Sequence, residues 1–341
     1  MPLNTIKKPS TVEIWIAAAR PHTLTASVAP TIVGAAITSS LLSSSTCSRS
    51  IFLPTVSFAT FACLVQLGTN LHNDYADYVK GADTDKRVGH ARATQRGWLT
   101  PFQTALGATL CLLGATVIGS FLTILWGFDW VMAFVTVSSV FNAFAYTGGP
   151  YPLGYIGLGH ISIGYAGLGD LFVFLYFGVV ATVGVPYIYM RYCDYYTSAT
   201  SLHQQTHELL KASLLSSIPI GLLATAIIVV NNLRDRSTDV TAGKKTLCVR
   251  FGEAFGRAEY AFLIGGSYLT LVPLIASFGG PWLLLPLLTL PLATSEIKSI
   301  VVRRKDGAAL NSHVGSTARL QLIFCLLLAL GMKISSLQII T

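Results

Sequence analysis

Acidic residues are scarce in this chain: there are 15 Asp and Glu in 341 residues, and all charged types together make up 11%. Soluble globular domains carry roughly 25% charged residues, so this composition excludes one. The hydrophobic share of 52% and the mean hydropathy of +0.60 instead indicate a polytopic membrane protein. Cysteine is sparse as well. None of Cys47, Cys63, Cys111, Cys193, Cys248 and Cys325 has CxxC spacing, which argues against a zinc ribbon or a dithiol redox centre. Most of them fall in or beside apolar runs, where packing is the expected role rather than metal binding or a disulfide. No cleavable signal peptide is expected, because Lys7 and Lys8 are followed by Glu13 and Arg20 before the first long apolar run. Thr11 to Ala19 reads as a short interfacial helix leading into Arg20-Pro21. The formal charge of +8 is spread over the segments between apolar runs, which suits lipid headgroups and an anionic substrate and not nucleic acid.

What the chain has in abundance is long apolar runs. A bilayer core of about 30 Å needs roughly 20 apolar residues per helix, and nine spans are predicted, near 23–42, 52–73, 102–126, 129–147, 166–189, 212–232, 259–278, 281–300 and 319–339. The fold class expected is therefore all-α, with the whole of 1–341 forming one integral membrane domain. With nine spans, 19 of the 23 Lys and Arg residues fall on one face, leaving Arg49, Arg191, Lys211 and Lys333 on the other. The positive-inside rule then puts the N-terminus on the cytoplasmic side or its equivalent. A shift of 158 residues superposes Asn73 on Asn231 and Asp77 on Asp235, suggesting pseudo-repeat halves near 20–150 and 165–300 followed by a final helix at 319–339. The connections after the second and sixth spans, about 77–101 and 234–258, are expected to be long and polar, while 43–50 and 198–208 read as plain loops.

Six of the 15 acidic residues sit in two short stretches, as Asp74, Asp77, Asp83, Asp85, Asp235 and Asp239. Each stretch ends an apolar run and is followed by basic residues. Side chains four apart share a helix face. Asn73 and Asp77 thus point one way, and Asn231, Asp235 and Asp239 form a second stripe. Two such stripes facing each other would bind a hard divalent cation through oxygen, as Mg²⁺ prefers when it also holds substrate phosphates. The basic neighbours Lys80, Lys86, Arg87, Arg92, Arg96, Lys244 and Lys245 suit a diphosphate, which needs cationic donors beside the metal. Tyr75, Tyr78, Phe141, Tyr146 and Tyr151 lie near the motifs and offer π faces to a passing cation.

These residues resemble the UbiA superfamily of intramembrane aromatic prenyltransferases. The resemblance runs from Arg20-Pro21-His22-Thr23 to the last spans. It is carried by Gln66-Leu67-Gly68-Thr69-Asn70-Leu71-His72-Asn73-Asp74-Tyr75 and by Asn231 through Asp239. Gly167-Leu168-Gly169-Asp170 adds to it, and Lys80-Gly81-Ala82-Asp83 and Tyr146-Thr147-Gly148-Gly149-Pro150 resemble the branch acting on 1,4-dihydroxy-2-naphthoate in menaquinone and phylloquinone synthesis. The resemblance implies a UbiA-like helical bundle and Mg²⁺-dependent transfer of a polyprenyl group from its diphosphate to the naphthoate, with decarboxylation. It further implies that Asn73, Asp77, Asp83, Asn231, Asp235 and Asp239 are catalytic, with Asp77, Asp83, Asp235 and Asp239 holding the metal. Lys80, Arg87, Arg92, Lys244 and Lys245 would bind the diphosphate, and Tyr75, Tyr146 and Asp170 the prenyl or aromatic groups. The implied setting is a multi-pass protein of a cell membrane, or of an organelle membrane in a eukaryote.

Two other readings stay open at this level. One is a prenyltransferase for a different aromatic acceptor, such as 4-hydroxybenzoate or homogentisate. The other is a secondary transporter of an anionic solute, which would need its charges near the bilayer midplane on broken helices. Here both clusters lie at span ends. The DGxxAR pattern of phosphatidyltransferases is absent.

Overall fold

A computed structural model of the protein describes residues 9–42, 50–79, 81, 88–89, 92–125, 127–145, 168–196, 202–241 and 244–340. The described residues form helices: α1 (Thr11–Ala19), α2 (Pro21–Leu41), α3 (Phe52–Val79), α4 (Pro101–Ile124), α5 (Trp130–Ala145) and α6 (Leu168–Val173). A π-helical turn, Phe174–Val180, joins α6 to α7 (Ala181–Tyr196), and α8 (Leu202–Thr241), α9 (Leu247–Leu269) and α10 (Leu271–Phe278) follow. The next span is built from a 3₁₀ stretch (Pro281–Thr289), α11 (Leu290–Ile297) and a second π stretch (Lys298–Val302), and the chain closes with α12 (Asn311–Ile340).

Eight helical stretches among the described residues are long and apolar enough to cross a bilayer. The expected fourth span is α5, whose 16 residues measure about 24 Å at 1.5 Å per residue. Several expected boundaries move. The spans predicted to end near 73 and 232 continue as helix to Val79 and Thr241, because the polar residues that end the hydropathy signal are turned inward and satisfied there. The second long connection therefore shrinks to the segment between Thr241 and Leu247, and the stretch expected as a loop to Glu208 is helical from Leu202.

Three caps fix the entry to the bundle. Ser10 and Glu13 form a reciprocal capping box at the start of α1, as Thr100 and Gln103 do for α4, satisfying backbone donors that a helix start leaves open. Arg20 takes a left-handed conformation, φ 52°; it ends α1, and Pro21 begins α2 with its preset φ. Within α9, Gly252 at φ 86° breaks the helix, a geometry that a side chain resists.

The core is centred on α8, whose Ile220, Leu223, Ala226, Val229, Val230 and Leu233 are fully buried. Residues of α2 (Ala29, Val33, Ile37) and α12 (Leu320, Phe324, Leu328) complete the same cluster. Outward faces are apolar, as with Phe52 and Leu53 of α3 and Phe102 and Val117 of α4. On α3 the buried face turns polar toward the helix end: beyond Phe58 and Phe61, Gln66, Asn70, Asp74 and Asp77 are all buried. Lipid removes the usual reason to hide apolar groups, and polar side chains in a span gather where protein can satisfy them. The expectation for the cysteines holds for Cys63, Cys111, Cys248 and Cys325, whose thiols are unbonded. It fails for Cys193, which is disulfide-bonded near the end of α7.

Candidate active site

A cavity of about 800 Å³ opens between α2, α3, α5, the α6–π segment and α8. On the α3 wall it is lined, from the second turn of the helix to near its end, by Phe58, Phe61, Val65, Gln66, Asn70, Asn73 and Asp77. The α8 wall runs in parallel from Ala224, Ile227 and Ile228 to Asn231, Asp235 and Asp239. Spacings of three and four residues on both helices put each set on one face, so both stripes expected from the sequence line the same space. One end of the cavity is polar and the other is hydrocarbon.

Ion pairs organise the polar end. Arg92 donates from Nη1 to Asp77 Oδ2 at 2.7 Å and to the Asn73 carbonyl at 2.8 Å, and its Nε lies 3.4 Å from Asp74 Oδ1. Arg20 pairs with the same Asp74 oxygen, and Asp74 is wholly buried. Lys244 Nζ lies 3.5 Å from Asp77 Oδ2. On the facing helix Arg234 grips Asp235 with two bonds of 2.8 and 2.6 Å and also donates to Asn231 Oδ1 at 2.7 Å. Such bidentate, charge-assisted pairing fixes both side chains in direction.

Local structure delivers these cations. Arg92 opens a tight turn closed by Arg96 N–H to the Arg92 carbonyl, Gly97 N–H to that of Thr94 and Trp98 N–H to that of Ala93. A hydroxyl contact of 2.9 Å between Thr94 and Thr104 pins the turn to α4. Lys244 donates its backbone N–H to the Asp239 carbonyl at 2.8 Å, which folds the chain back over the end of α8 and sends the amine toward α3. Deeper in the cavity Gln66 and Asn70 share Thr23, and Asn70 also donates to the Ala19 carbonyl at 2.9 Å. This network ties α3 to the α1–α2 corner that carries Arg20.

Of the residues singled out in the sequence, Asn73, Asp77, Asn231, Asp235, Asp239, Arg92 and Lys244 line the cavity. Tyr75, Asp170 and Lys245 are not among its lining residues. The Tyr75 ring packs near His72, with centroids 6.3 Å apart, and Asp170 is buried beside Gly169, which does line the cavity. Lys80, Asp83, Arg87 and Tyr146 lie outside the described residues. Sequence reasoning gave no role to Arg20, Asp74, Arg234, Trp98 or Asn142, and the first two are joined only by a contact across 54 residues.

The donor set is one of hard oxygens and strong cations. Among the described residues no three of His, Cys, Asp and Glu lie together as a protein-only metal cage. Mg²⁺ commonly takes one or two carboxylates and completes its shell with water and substrate phosphates, so Asp77, Asp235 and Asp239 facing one cavity fit that ion. Arg20, Arg92, Arg234 and Lys244 around the same opening fit a polyanion, and the apolar end fits a hydrocarbon tail.

Comparison with known proteins agrees with this geometry. Residues 27–323 match the UbiA prenyltransferase family. The 1,4-dihydroxy-2-naphthoate octaprenyltransferase of Escherichia coli is 33% identical over 336 residues, covering 96% of this chain and 97% of that protein. The 2-carboxy-1,4-naphthoquinone phytyltransferase of Synechocystis is 26% identical, covering 88% and 86%. A UbiA homologue from Archaeoglobus fulgidus, solved bound to DMAPP and Mg²⁺, superposes with a TM-score of 0.52 at 13% identity, covering 92% of this chain and 99% of that one. The chain belongs to the UbiA prenyltransferase family, and it is a multi-pass integral membrane enzyme of that family.

Proposed function

We propose that the protein transfers a polyprenyl group from its diphosphate to 1,4-dihydroxy-2-naphthoate, releasing CO₂, as a step toward a menaquinone- or phylloquinone-type product. The observation that carries this reading is a cavity shared by two carboxylate stripes, with cations at its mouth and a hydrocarbon end. The names and coverage of the relatives support the choice of acceptor.

In this mechanism Arg92 and Lys244 bind the diphosphate and take up charge as the allylic C–O bond breaks and its electron pair leaves with the diphosphate. Asp77, Asp235 and Asp239, with Asp83, would hold Mg²⁺, which supplies further neutralisation of the leaving group when bound. Asn73 and Asn231 orient the two stripes, and Arg234 fixes Asp235 through its two bonds. Phe58, Phe61 and the α8 isoleucines bury the chain and keep water from the allylic cation. The naphthoate ring carbon bearing the carboxylate forms the new C–C bond, and the ring regains aromaticity as the carboxylate departs as CO₂; no proton is left over. Turnover of purified protein against a panel of aromatic acids and prenyl diphosphates tests the reading. Preference for the naphthoate is expected, and preference for 4-hydroxybenzoate or homogentisate would move the protein to another branch.

A further inference from the structure

One wall of the cavity carries a hydrogen-bonded pair for which neither a diphosphate nor an apolar chain has a use. Asn142 Nδ2 of α5 donates to the Tyr176 hydroxyl at 2.7 Å, and both residues line the cavity together with Ser139. The same cavity is lined by hydrocarbon from Phe61 and Val65 of α3 and Ile227 and Ile228 of α8. An amide and a phenol in such a wall cost free energy unless their remaining donors and acceptors are used. Tyr176 keeps its own O–H to give, and Asn142 keeps its carbonyl oxygen.

The wall is held in place from behind. Tyr176 belongs to the π-helical turn Phe174–Val180, a winding that is rare and concentrated at functional sites. That turn lies flush on α8: a methyl at Gly178 would sit 2.5 Å from the Gly221 Cα, and one at Gly221 would sit 2.7 Å from the Phe174 ring. Phe174 is thereby committed to α8, while Phe172, Tyr176 and Phe177 face the cavity. The rings of Phe172 and Tyr176 stack 9° from parallel with centroids 6.0 Å apart, so their aromatic faces share one orientation.

We propose that this wall is the acceptor subsite. Phe172 and Tyr176 receive the face of a fused aromatic ring, and Tyr176 with Asn142 reads one ring hydroxyl, the tyrosine donating to its oxygen and the Asn142 Oδ1 accepting its proton. A phenolic oxygen is donor and acceptor at one atom, the complement of this pair; a polyprenyl chain offers neither. The inference rests on the transferase reading above and adds the residues that select the acceptor.

The test uses the full-length protein, Tyr176→Phe and Asn142→Leu, with KM measured separately for the naphthoate and the prenyl diphosphate. It also compares the two monomethyl ethers of the acceptor. Loss of one hydrogen bond should raise the acceptor KM about tenfold, leave the donor KM unchanged, and remove the preference of the native enzyme for a free hydroxyl over one of the ethers. Should Asn142→Leu fail to fold, Tyr176→Phe keeps the ring and decides the matter alone. A pair serving only to tie α5 to the π turn would leave the acceptor KM untouched or raise both KM values alike, and either result overturns the subsite. A native enzyme inert toward every hydroxylated aromatic acid would overturn the transferase reading itself, and the subsite with it.

Discussion

Lys244 and Asp77 lie 3.5 Å apart although 167 residues separate them in the chain. Lys244 follows the second aspartate stripe and Asp77 ends the first, so this contact closes the polar end of the cavity and makes the two motifs one site. Arg92 reaches the same Asp77 oxygen from a third segment. One carboxylate thus joins cations from two other segments of the chain.

Asp77→Asn and Asp235→Asn each remove one charge with little change in shape. Each variant is expected to insert and fold, with turnover reduced about 10²-fold or more, the scale of a lost preorganised electrostatic group. Steady-state rates beside detergent thermal unfolding curves check this. Near-native Mg²⁺-dependent turnover in either variant would remove that aspartate from the site.

Lys244→Gln and Arg92→Lys separate two kinds of cation. Lys244 reaches Asp77 at 3.5 Å, and its loss should raise the KM for prenyl diphosphate about tenfold with the fold intact. Arg92 spans Asp74 and Asp77 with its planar fork, a geometry that an ammonium does not reproduce. Arg92→Lys should therefore lose activity despite conserving charge, and equal kinetics in Arg92→Lys and native protein would contradict its bridging role.

Asp74 is wholly buried between Arg20 and Arg92. Asp74→Ala leaves two guanidinium groups without their shared anion, a change expected to cost about 3–5 kcal/mol. A large fall in Tm should be measured, with expression reduced to match. An unchanged Tm would show that the pairing is not structural.

Topology follows from the basic residues. A single cysteine placed at Arg96 or Lys245 in a cysteine-free background should be labelled from the cytoplasmic-equivalent side, and one at Ser50 from the opposite side. The disulfide at Cys193 lies at the end of α7 remote from the aspartate stripes, where an oxidising compartment preserves it. Labelling of positions 96 and 245 from different faces would refute a shared site at one membrane surface.

The stripes were legible in the sequence because period and residue type suffice to place Asn73 with Asp77 and Asn231 with Asp235 and Asp239. Hydropathy located the spans for the same reason, yet it ended α3 and α8 too early: a polar residue stops an apolar window but does not stop a helix whose polar face turns inward. Asp74 stood in the cluster without a role, since its partner Arg20 is distant in the chain. Asn142 and Tyr176 belong to no motif and meet only through folding. Pairings between distant segments carry no local pattern, and they supply most of what distinguishes this cavity from a pair of charged helix ends.

The most direct test of the account is the fate of the acceptor's carboxyl carbon. With 1,4-dihydroxy-2-naphthoate labelled at that carbon, purified protein should release labelled CO₂ in one-to-one proportion to prenylated product. Release should require both prenyl diphosphate and Mg²⁺, stop with chelator and resume when Mg²⁺ is restored. Prenylated product that retains the label, or the absence of any prenylated naphthoate while another aromatic acid reacts, would contradict it.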